Sequence, residues 1–257
     1  MALQLRQICL VAEQLAPVID NFTNILGIRA CHVDPGVEFF GLENTLMTVG
    51  HNFLEVVAPI QEGTAAGRYL ERRQGDGGYM VITQASDRDS QQTIRQRALD
   101  MGVRIAHESE RGDWGLCQLH PRDMVAAFLE VEWDSDNDFN GKWMPAGGNG
   151  WQETVSRDVT VDYLGAELQA EDPLALADHW AKVIGVDVER GDNGYTVALN
   201  NAVLRFVALQ DDRGPGLTGL DIKVADRKHV LAAAKSRGCY VNDSRVDICG
   251  TRFYLSD

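Results

Sequence analysis

The chain has 257 residues and a formal net charge of −14, and 44% of its residues are hydrophobic. This length fits one large domain or two small ones. The acidic balance argues against nucleic acid and membrane surfaces as partners, because both attract clustered Lys and Arg. We recognise no signal peptide and no run of roughly 18 apolar residues. Five dispersed cysteines predict reduced thiols and a cytoplasmic protein.

The first predicted unit begins with an apolar strand at residues 5–12. Apolar residues then recur at helical spacing from Leu15 to Leu26, and Gly27 suits the left-handed position that follows a helix. Three short strands come next, and the last of them contains the sequence FLEV, which starts at Phe53. A unit of one strand, one helix and three strands is therefore predicted.

The second unit repeats the first 75 residues further along the chain. The segment GIRACH at Gly27 matches GVRIAH at Gly102, and FLEV at Phe53 recurs at Phe128. Two matches at one spacing predict a duplicated unit. Its helix follows the strand at residues 79–85, with Asp87 or Asp89 as the capping residue.

The second half of the chain repeats the same pattern more faintly. Asp172 and Asp226 precede two further predicted helices, and Gly185 and Gly238 follow those helices. Short strands complete each unit. Four β-α-β-β-β modules are therefore predicted in tandem.

Together these units predict an α+β fold in which the four modules form paired curved mixed sheets. The first domain is expected at residues 1–135 and the second, degenerate domain at residues 158–257. Between them, residues 136–157 are rich in Gly and Asn and predict a linker. Paired sheets of this kind leave a cavity in which ligands tend to bind.

This order of elements, with a carboxylate on the last strand of a unit, resembles the vicinal oxygen chelate superfamily of glyoxalases, bleomycin-resistance proteins and extradiol dioxygenases. The resemblance is carried by RQICLVAEQL, LGIR, FLEVVAP, GGYMVITQ and FLEVEW, all within residues 3–133. It implies a divalent metal held by the first and last strands of two paired modules. The usual ligands are His or Gln on the first strands and Glu on the last.

Carried onto this chain, the resemblance places those four positions at Gln7, Glu55, Met80 and Glu130. Met80 departs from the pattern, because a thioether suits copper(I) better than the metals that this superfamily favours. The remaining set of Gln7, Glu55 and Glu130 offers only oxygen ligands, which hold Mg or Mn weakly. We therefore expect no metal and no other cofactor. A divalent metal on those three residues is the alternative.

Strand alternation puts Phe53 and Glu55 on one face of their strand, and Phe128 and Glu130 on one face of theirs. We expect the two glutamates to act as catalytic groups that face each other in one cavity. Burial and mutual repulsion would then raise one pKa and create a general acid or base near neutral pH. The alternative is two solvated carboxylates on an open sheet. The residues expected to bind the ligand around them are Gln7, Cys9, Phe53, Met80 and Phe128.

The predicted function is a glyoxalase-like protein that binds a small oxygenated metabolite in the N-terminal cavity, as a lyase or isomerase that works by carboxylate proton transfer. One alternative is a non-catalytic binding protein of the bleomycin-resistance type. Another is an extradiol-type dioxygenase, although His32 and His107 lie outside the positions that such an enzyme uses for iron. In the second half, Arg205 and Arg252 replace the glutamates and either hold an anion or pair with local Asp. The expected partner is a small molecule, and a homodimer is left open.

Overall fold

The computed structural model describes residues 2–144 and 150–257. The strands of the first half are β1 Leu3–Val11, β2 Arg29–His32, β3 Leu42–Val49, β4 Asn52–Pro59, β5 Gly77–Ala85, β6 Ile105–Arg111, β7 Trp114–Leu119 and β8 Phe128–Asp134. The strands of the second half are β9 Thr160–Ala170, β10 Val188–Gly191, β11 Gly194–Ala198, β12 Val203–Ala208, β13 Gly216–Val224, β14 Tyr240–Asn242, β15 Arg245–Ile248 and β16 Thr251–Ser256. The helices are α1 Leu15–Asn21, α2 Ala65–Arg73, α3 Arg88–Asp100, α4 Pro173–Ile184 and α5 Arg227–Ser236. Across the described ranges, none of the helices is both long and apolar enough to cross a membrane.

The strands form two sheets of eight strands each. The first has the order β2-β3-β4-β1-β5-β8-β7-β6, and the second has the equivalent order β10-β11-β12-β9-β13-β16-β15-β14. First and last strands pair in parallel in three modules, as β5 with β8, β9 with β12 and β13 with β16. The hairpin strands pair antiparallel. The predicted α+β fold of four tandem β-α-β-β-β modules is confirmed.

Three helices begin at an aspartate that accepts a hydrogen bond from a backbone N–H, as the sequence predicts. Asp87, not Asp89, caps α3, and its Oδ1 accepts from Ser90 N at 2.7 Å. Asp172 and Asp226 cap α4 and α5 in the same way, each at 2.9 Å. These caps satisfy N–H groups that the first helical turn leaves without a partner.

Helix α1 continues into a wider helical turn at Phe22–Leu26 and ends at Gly27, which has a φ of 67°. A Cβ on Gly27 would lie 2.8 Å from the Cβ of Val159. Glycine is needed here both for the left-handed backbone and for this close approach.

The chain divides into two compact units, and each unit draws on both halves of the sequence. Unit 1 consists of Met1–Gln7, Tyr79–Phe139 and Gly165–Leu217; unit 2 consists of Ile8–Gly78, Asn140–Leu164 and Thr218–Asp257. The predicted domains, 1–135 and 158–257, follow the two sheets and differ from these units. Part of the predicted linker, residues 145–149, lies outside the described residues.

Each unit has its own packed interior. In unit 1, the indole N–H of Trp180 donates to Met124 O at 2.9 Å, and its ring packs edge-on against Phe206. In unit 2, the ring of Phe22 packs edge-on against Phe253, with centroids 5.5 Å apart. In both units, a module from the first half therefore packs on a module from the second.

Candidate acid–base site

The last strand of the second module, β8, carries two buried glutamates on one face. Glu130 and Glu132 point the same way because alternate residues of a strand share a face. The residues that lie opposite Glu130 in register are Ile82 on β5 and Gln118 on β7. Each glutamate is only 3% exposed.

The carboxyl groups of Glu130 and Glu132 are neighbours on this face, and each affects the pKa of the other. Each also accepts a hydrogen bond from β7. Gln118 Nε2 donates to Glu130 Oε2 at 2.6 Å, and Trp114 Nε1 donates to Glu132 Oε2 at 2.9 Å. Two carboxyl groups that share a hydrogen bond need one proton between them, which is the state proposed below for this pair.

Burial raises the pKa of both glutamates in this pair. For Glu132, burial and the negative charge of Glu130 together raise the pKa well above its usual value. The hydrogen bond from Trp114 and the positive charge of the fully buried Arg6 oppose that rise. For Glu130, burial is again the largest cause, opposed by the hydrogen bonds to Glu132 and Gln118. The pair titrates as one system rather than as two independent acids.

The first module has a similar but simpler arrangement in unit 2. Glu55 on β4 is 7% exposed, and Asn44 Nδ2 on β3 donates to its Oε1 at 2.6 Å. The amide of Asn44 is itself oriented, because its Oδ1 accepts from Asp34 N at 3.0 Å. Val57 stands where the repeat places Glu132 in the second module. Glu55 therefore has an amide donor but no second carboxylate two residues along its strand.

The described part of the linker packs on the same region of unit 2. The short helix Trp151–Thr154 places the Trp151 ring edge-on against Phe53, with centroids 5.0 Å apart. The hydroxyl of Thr154 lies 3.2 Å from that of Thr48, which is beside Phe53 in the β3–β4 register. Phe53 is thus buried by the chain itself.

The remaining predicted site residues are buried on the first strands. Met80 lies beside Phe128 in the β5–β8 register and shares the face of Glu130. Gln7 and Cys9 both lie on β1, and the thiol of Cys9 donates to Leu10 O at 3.6 Å. Unit 1 thus brings together Met80, Phe128 and Glu130, and unit 2 brings together Phe53 and Glu55. That the two glutamates share one cavity stays a prediction.

The side chains at the expected metal positions do not fit a divalent metal. Glu130 is engaged by Glu132 and Gln118, and a carboxyl group that holds a proton is a poor metal ligand. Glu55 is engaged by Asn44. In residues 2–144 and 150–257, no three His, Cys, Asp or Glu side chains are grouped so that they could hold a metal ion.

Strand alternation in the sequence predicts Glu132 on the same face as Phe128 and Glu130, but it does not predict a role for Glu132. Three hydrogen-bond donors of the site were missed altogether. These donors, Trp114, Gln118 and Asn44, could not be predicted, because the strand register decides which side chain lies beside a carboxylate.

In the second half, arginines stand at the positions where the first half has glutamates. Arg205 Nη1 on β12 lies 2.9 Å from Oε2 of the buried Glu167 on β9, so it pairs with a local Glu. Arg252 on β16 is 4% exposed. Arg205 serves to neutralise a buried carboxylate within unit 1.

No family model matches the chain, and no curated protein matches it significantly. Solved structures do share its fold. A hypothetical protein from Staphylococcus aureus aligns with 100% of this chain and 99% of its own, with a TM-score of 0.65 and 12% identity. A methylmalonyl-CoA epimerase in complex with methylmalonyl-CoA and NH4+ aligns with 54% of this chain and 99% of its own, with a TM-score of 0.44 and 19% identity. The epimerase from Mycobacterium tuberculosis covers 51% of this chain and 87% of its own, with a TM-score of 0.43 and 20% identity. At these identities, the likeness to the Staphylococcus aureus protein shows the four-module fold alone.

Proposed function

We propose that this protein is an acid–base enzyme of the isomerase type that moves a proton on a small oxygenated metabolite. The observation that carries the proposal is the buried carboxyl pair of Glu130 and Glu132, which is held by Gln118 and Trp114. A carboxylate beside a carboxylic acid can accept a proton from carbon while its neighbour stabilises the developing charge on oxygen.

The electrostatic setting suits this chemistry at neutral pH. Burial and the mutual charge of the two groups keep one proton on the pair above the pH range in which a solvated glutamate loses it. Met80 and Phe128 supply apolar surface on the same face of the sheet. Each glutamate is 3% exposed, so a substrate reaches the pair only after neighbouring side chains move.

Within unit 2, we propose Glu55 as a separate acidic group that contacts a ligand, with Phe53 beside it on β4. Its carboxylate accepts from Asn44 and has no neighbouring acid on its strand, so its role is to bind a hydroxyl or amine group of the ligand. Gln7 and Cys9 are proposed as further ligand contacts on β1.

Hydrogen–deuterium exchange at carbon tests this function across several substrate classes at once. The protein is incubated in D2O with a panel of 2-oxo acids, hydroxyketones and acyl thioesters, methylmalonyl-CoA among them, and NMR follows loss of the C–H signal. We expect exchange on at least one compound, with at least a hundredfold loss in Glu130→Gln and in Glu132→Gln, as for removal of a general base. Exchange that is unchanged in both variants would reject the assignment.

A second candidate is non-catalytic binding of a small molecule. It is favoured by the hydrogen bonds from Gln118, Trp114 and Asn44, which already occupy carboxylate oxygens in both modules. Saturable binding of a panel compound without any exchange at carbon, lost in Glu55→Gln, would favour this candidate over the enzyme.

A further inference from the structure

A separate groove lies on the opposite face of the first sheet, within unit 1. It has a volume of about 420 Å³ and is formed by α3 and by residues of β6, β7 and β8. Trp133 lines it and alternates along β8 with Glu132, so the groove lies behind the carboxyl pair and not over it. This volume falls within the range of small-molecule sites.

Two ion pairs flank the groove. Arg88 at the start of α3 pairs with Glu110 at 2.8 Å, and Arg95, two turns along α3, pairs with Glu108 at 2.8 Å. All four of these side chains line the groove. Three of them are about half exposed, so each pair contributes little to stability and can be exchanged at low cost.

The floor of the groove contains a polar group with an unmet hydrogen bond. The indole Nε1 of Trp133 is buried and has no hydrogen-bond partner among the residues that the structure describes. A Cβ at Gly115 would lie only 2.7 Å from this nitrogen, so any larger residue there would collide with it. The Cγ of Glu110 lies 3.4 Å from that same Cβ position, so the Glu110 side chain and the indole nitrogen both lie beside Gly115.

We propose that this groove binds a zwitterionic small molecule of the α-amino acid type. Its carboxylate would pair with Arg88 and accept from the Trp133 indole N–H, and its ammonium group would pair with Glu110. Arg95 and Glu108 would orient the remainder of the molecule.

The charge balance of the groove selects this class of ligand. Two guanidinium groups face two carboxylates, so the lining is neutral. A dianion would pair with the two arginines, but Glu108 and Glu110 would then face its negative charges. A dication would pair with the two glutamates, but Arg88 and Arg95 would then face its positive charges. A zwitterion that inserts into an ion pair keeps every charge paired.

Isothermal titration calorimetry with the common amino acids tests this proposal, with succinate as the dianion and putrescine as the dication. The informative variants are Arg88→Gln and Glu110→Gln. Arg104→Gln is the matched control, since it removes an exposed arginine that pairs with Asp123 at 2.7 Å in the same unit but outside the groove.

We expect at least one amino acid to bind saturably, and each groove variant to weaken its Kd by about tenfold or more, since each loses a charge-assisted hydrogen bond. Arg104→Gln should leave the Kd unchanged, and succinate and putrescine should not compete. The proposal is overturned if no amino acid binds at millimolar concentrations, if Arg88→Gln binds as well as the unaltered chain, or if succinate binds as well as any amino acid.

Discussion

The last strands of the first two modules, β4 in unit 2 and β8 in unit 1, differ at one decisive position. Both carry a buried glutamate that accepts a hydrogen bond of 2.6 Å from a side-chain amide on the preceding strand, Asn44 for Glu55 and Gln118 for Glu130. Two residues further along, β4 has Val57 and β8 has Glu132. Each module thus has an amide–carboxylate bond, although Gln118 lies opposite Glu130 in register and Asn44 lies opposite Val57. Only the second module has a carboxyl neighbour with which to share a proton.

The strongest way to test this comparison is to give the first module the second carboxylate. Val57 is 3% exposed, so Val57→Glu introduces an acid into a buried site beside Glu55. Glu132 on β8 accepts a hydrogen bond from the indole of Trp114 on β7, whereas β3 has no tryptophan in register with β4 that would supply an indole to residue 57. We expect a loss of about 2–4 kcal/mol in the free energy of unfolding at pH 7. Urea denaturation at pH 7 and pH 5 measures it.

The loss in Val57→Glu should be smaller at pH 5, because the new carboxyl is then more often neutral. Val57→Gln is the control for size and polarity without charge. Equal losses in both variants at both pH values would mean that charge does not distinguish the two modules.

The reverse change removes the second carboxylate from β8. Glu132 has a raised pKa, so its contribution to stability is full below the ordinary glutamate pKa of 4.5 and is lost as the pH rises through the raised value. Glu132→Gln should remove this decline. The effect of the substitution on the free energy of unfolding should therefore be more favourable at pH 8 than at pH 5, by about 1–2 kcal/mol. Melting temperatures across that range measure the slope, with Glu55→Gln as the matched substitution in β4. A slope that stays as steep in Glu132→Gln as in the unaltered chain would refute the paired-acid assignment.

The hydrogen bond that the indole of Trp114 makes with Glu132 can be tested against a second tryptophan of unit 1. Trp114→Phe removes a bonded N–H, whereas Trp133→Phe removes one that has no partner among the described residues. We expect Trp114→Phe to cost about 1 kcal/mol more than Trp133→Phe in the free energy of unfolding. Chemical denaturation at pH 6 compares them, and equal costs would show that the bond contributes nothing.

The smallest effect is expected in the third module, where Arg205 takes the place of the glutamate. Arg205→Gln leaves the buried Glu167 without its ion pair, but Arg205 is partly exposed, so water limits the loss to about 0.5–1 kcal/mol. Thermal melts at low and high salt measure it. The loss should shrink in high salt, and a loss that is independent of salt would point to packing instead of charge.

Much of the fold could be predicted because it depends on local signals. The 75-residue repeat, the caps at Asp172 and Asp226 and the alternation around Glu130 all follow from the sequence and agree with the structure. The compact units could not be predicted, because contacts between modules distant in the chain leave no periodic pattern.

The candidate site was only half predictable for a similar reason. Alternation identified Glu130, but Gln118 and Trp114 reach the carboxyl pair only through the β7–β8 register. The effect of Arg6 could not be predicted, because Arg6 lies among apolar residues on β1. From there its positive charge lowers the pKa of Glu132. The close approach of the Trp133 indole to Gly115 requires a residue without a Cβ there, which no sequence pattern indicates.

The prediction that the protein binds no transition metal can be tested by elemental analysis. We predict substoichiometric Zn, Fe, Ni and Mn in protein purified without chelator, because Met80 is a poor ligand for these ions and the carboxyl groups of Glu130 and Glu55 are engaged by other side chains. Elemental analysis decides it. One equivalent of any of these metals would contradict the prediction and return Gln7, Glu55 and Glu130 to consideration as ligands.

The central claim is that Glu130 and Glu132 hold one proton between them at neutral pH. Carbon-13 NMR of the side-chain carboxyl groups, assigned with Glu130→Gln and Glu132→Gln, reads the protonation of each directly as the pH is raised from 4 to 9. We expect one carboxyl of the pair to stay protonated well above 4.5, and the apparent pKa of Glu132 to fall when Glu130 is replaced by Gln, because the charge of Glu130 helps to raise it. Independent titration of both groups near 4.5 in the unaltered chain would contradict the claim.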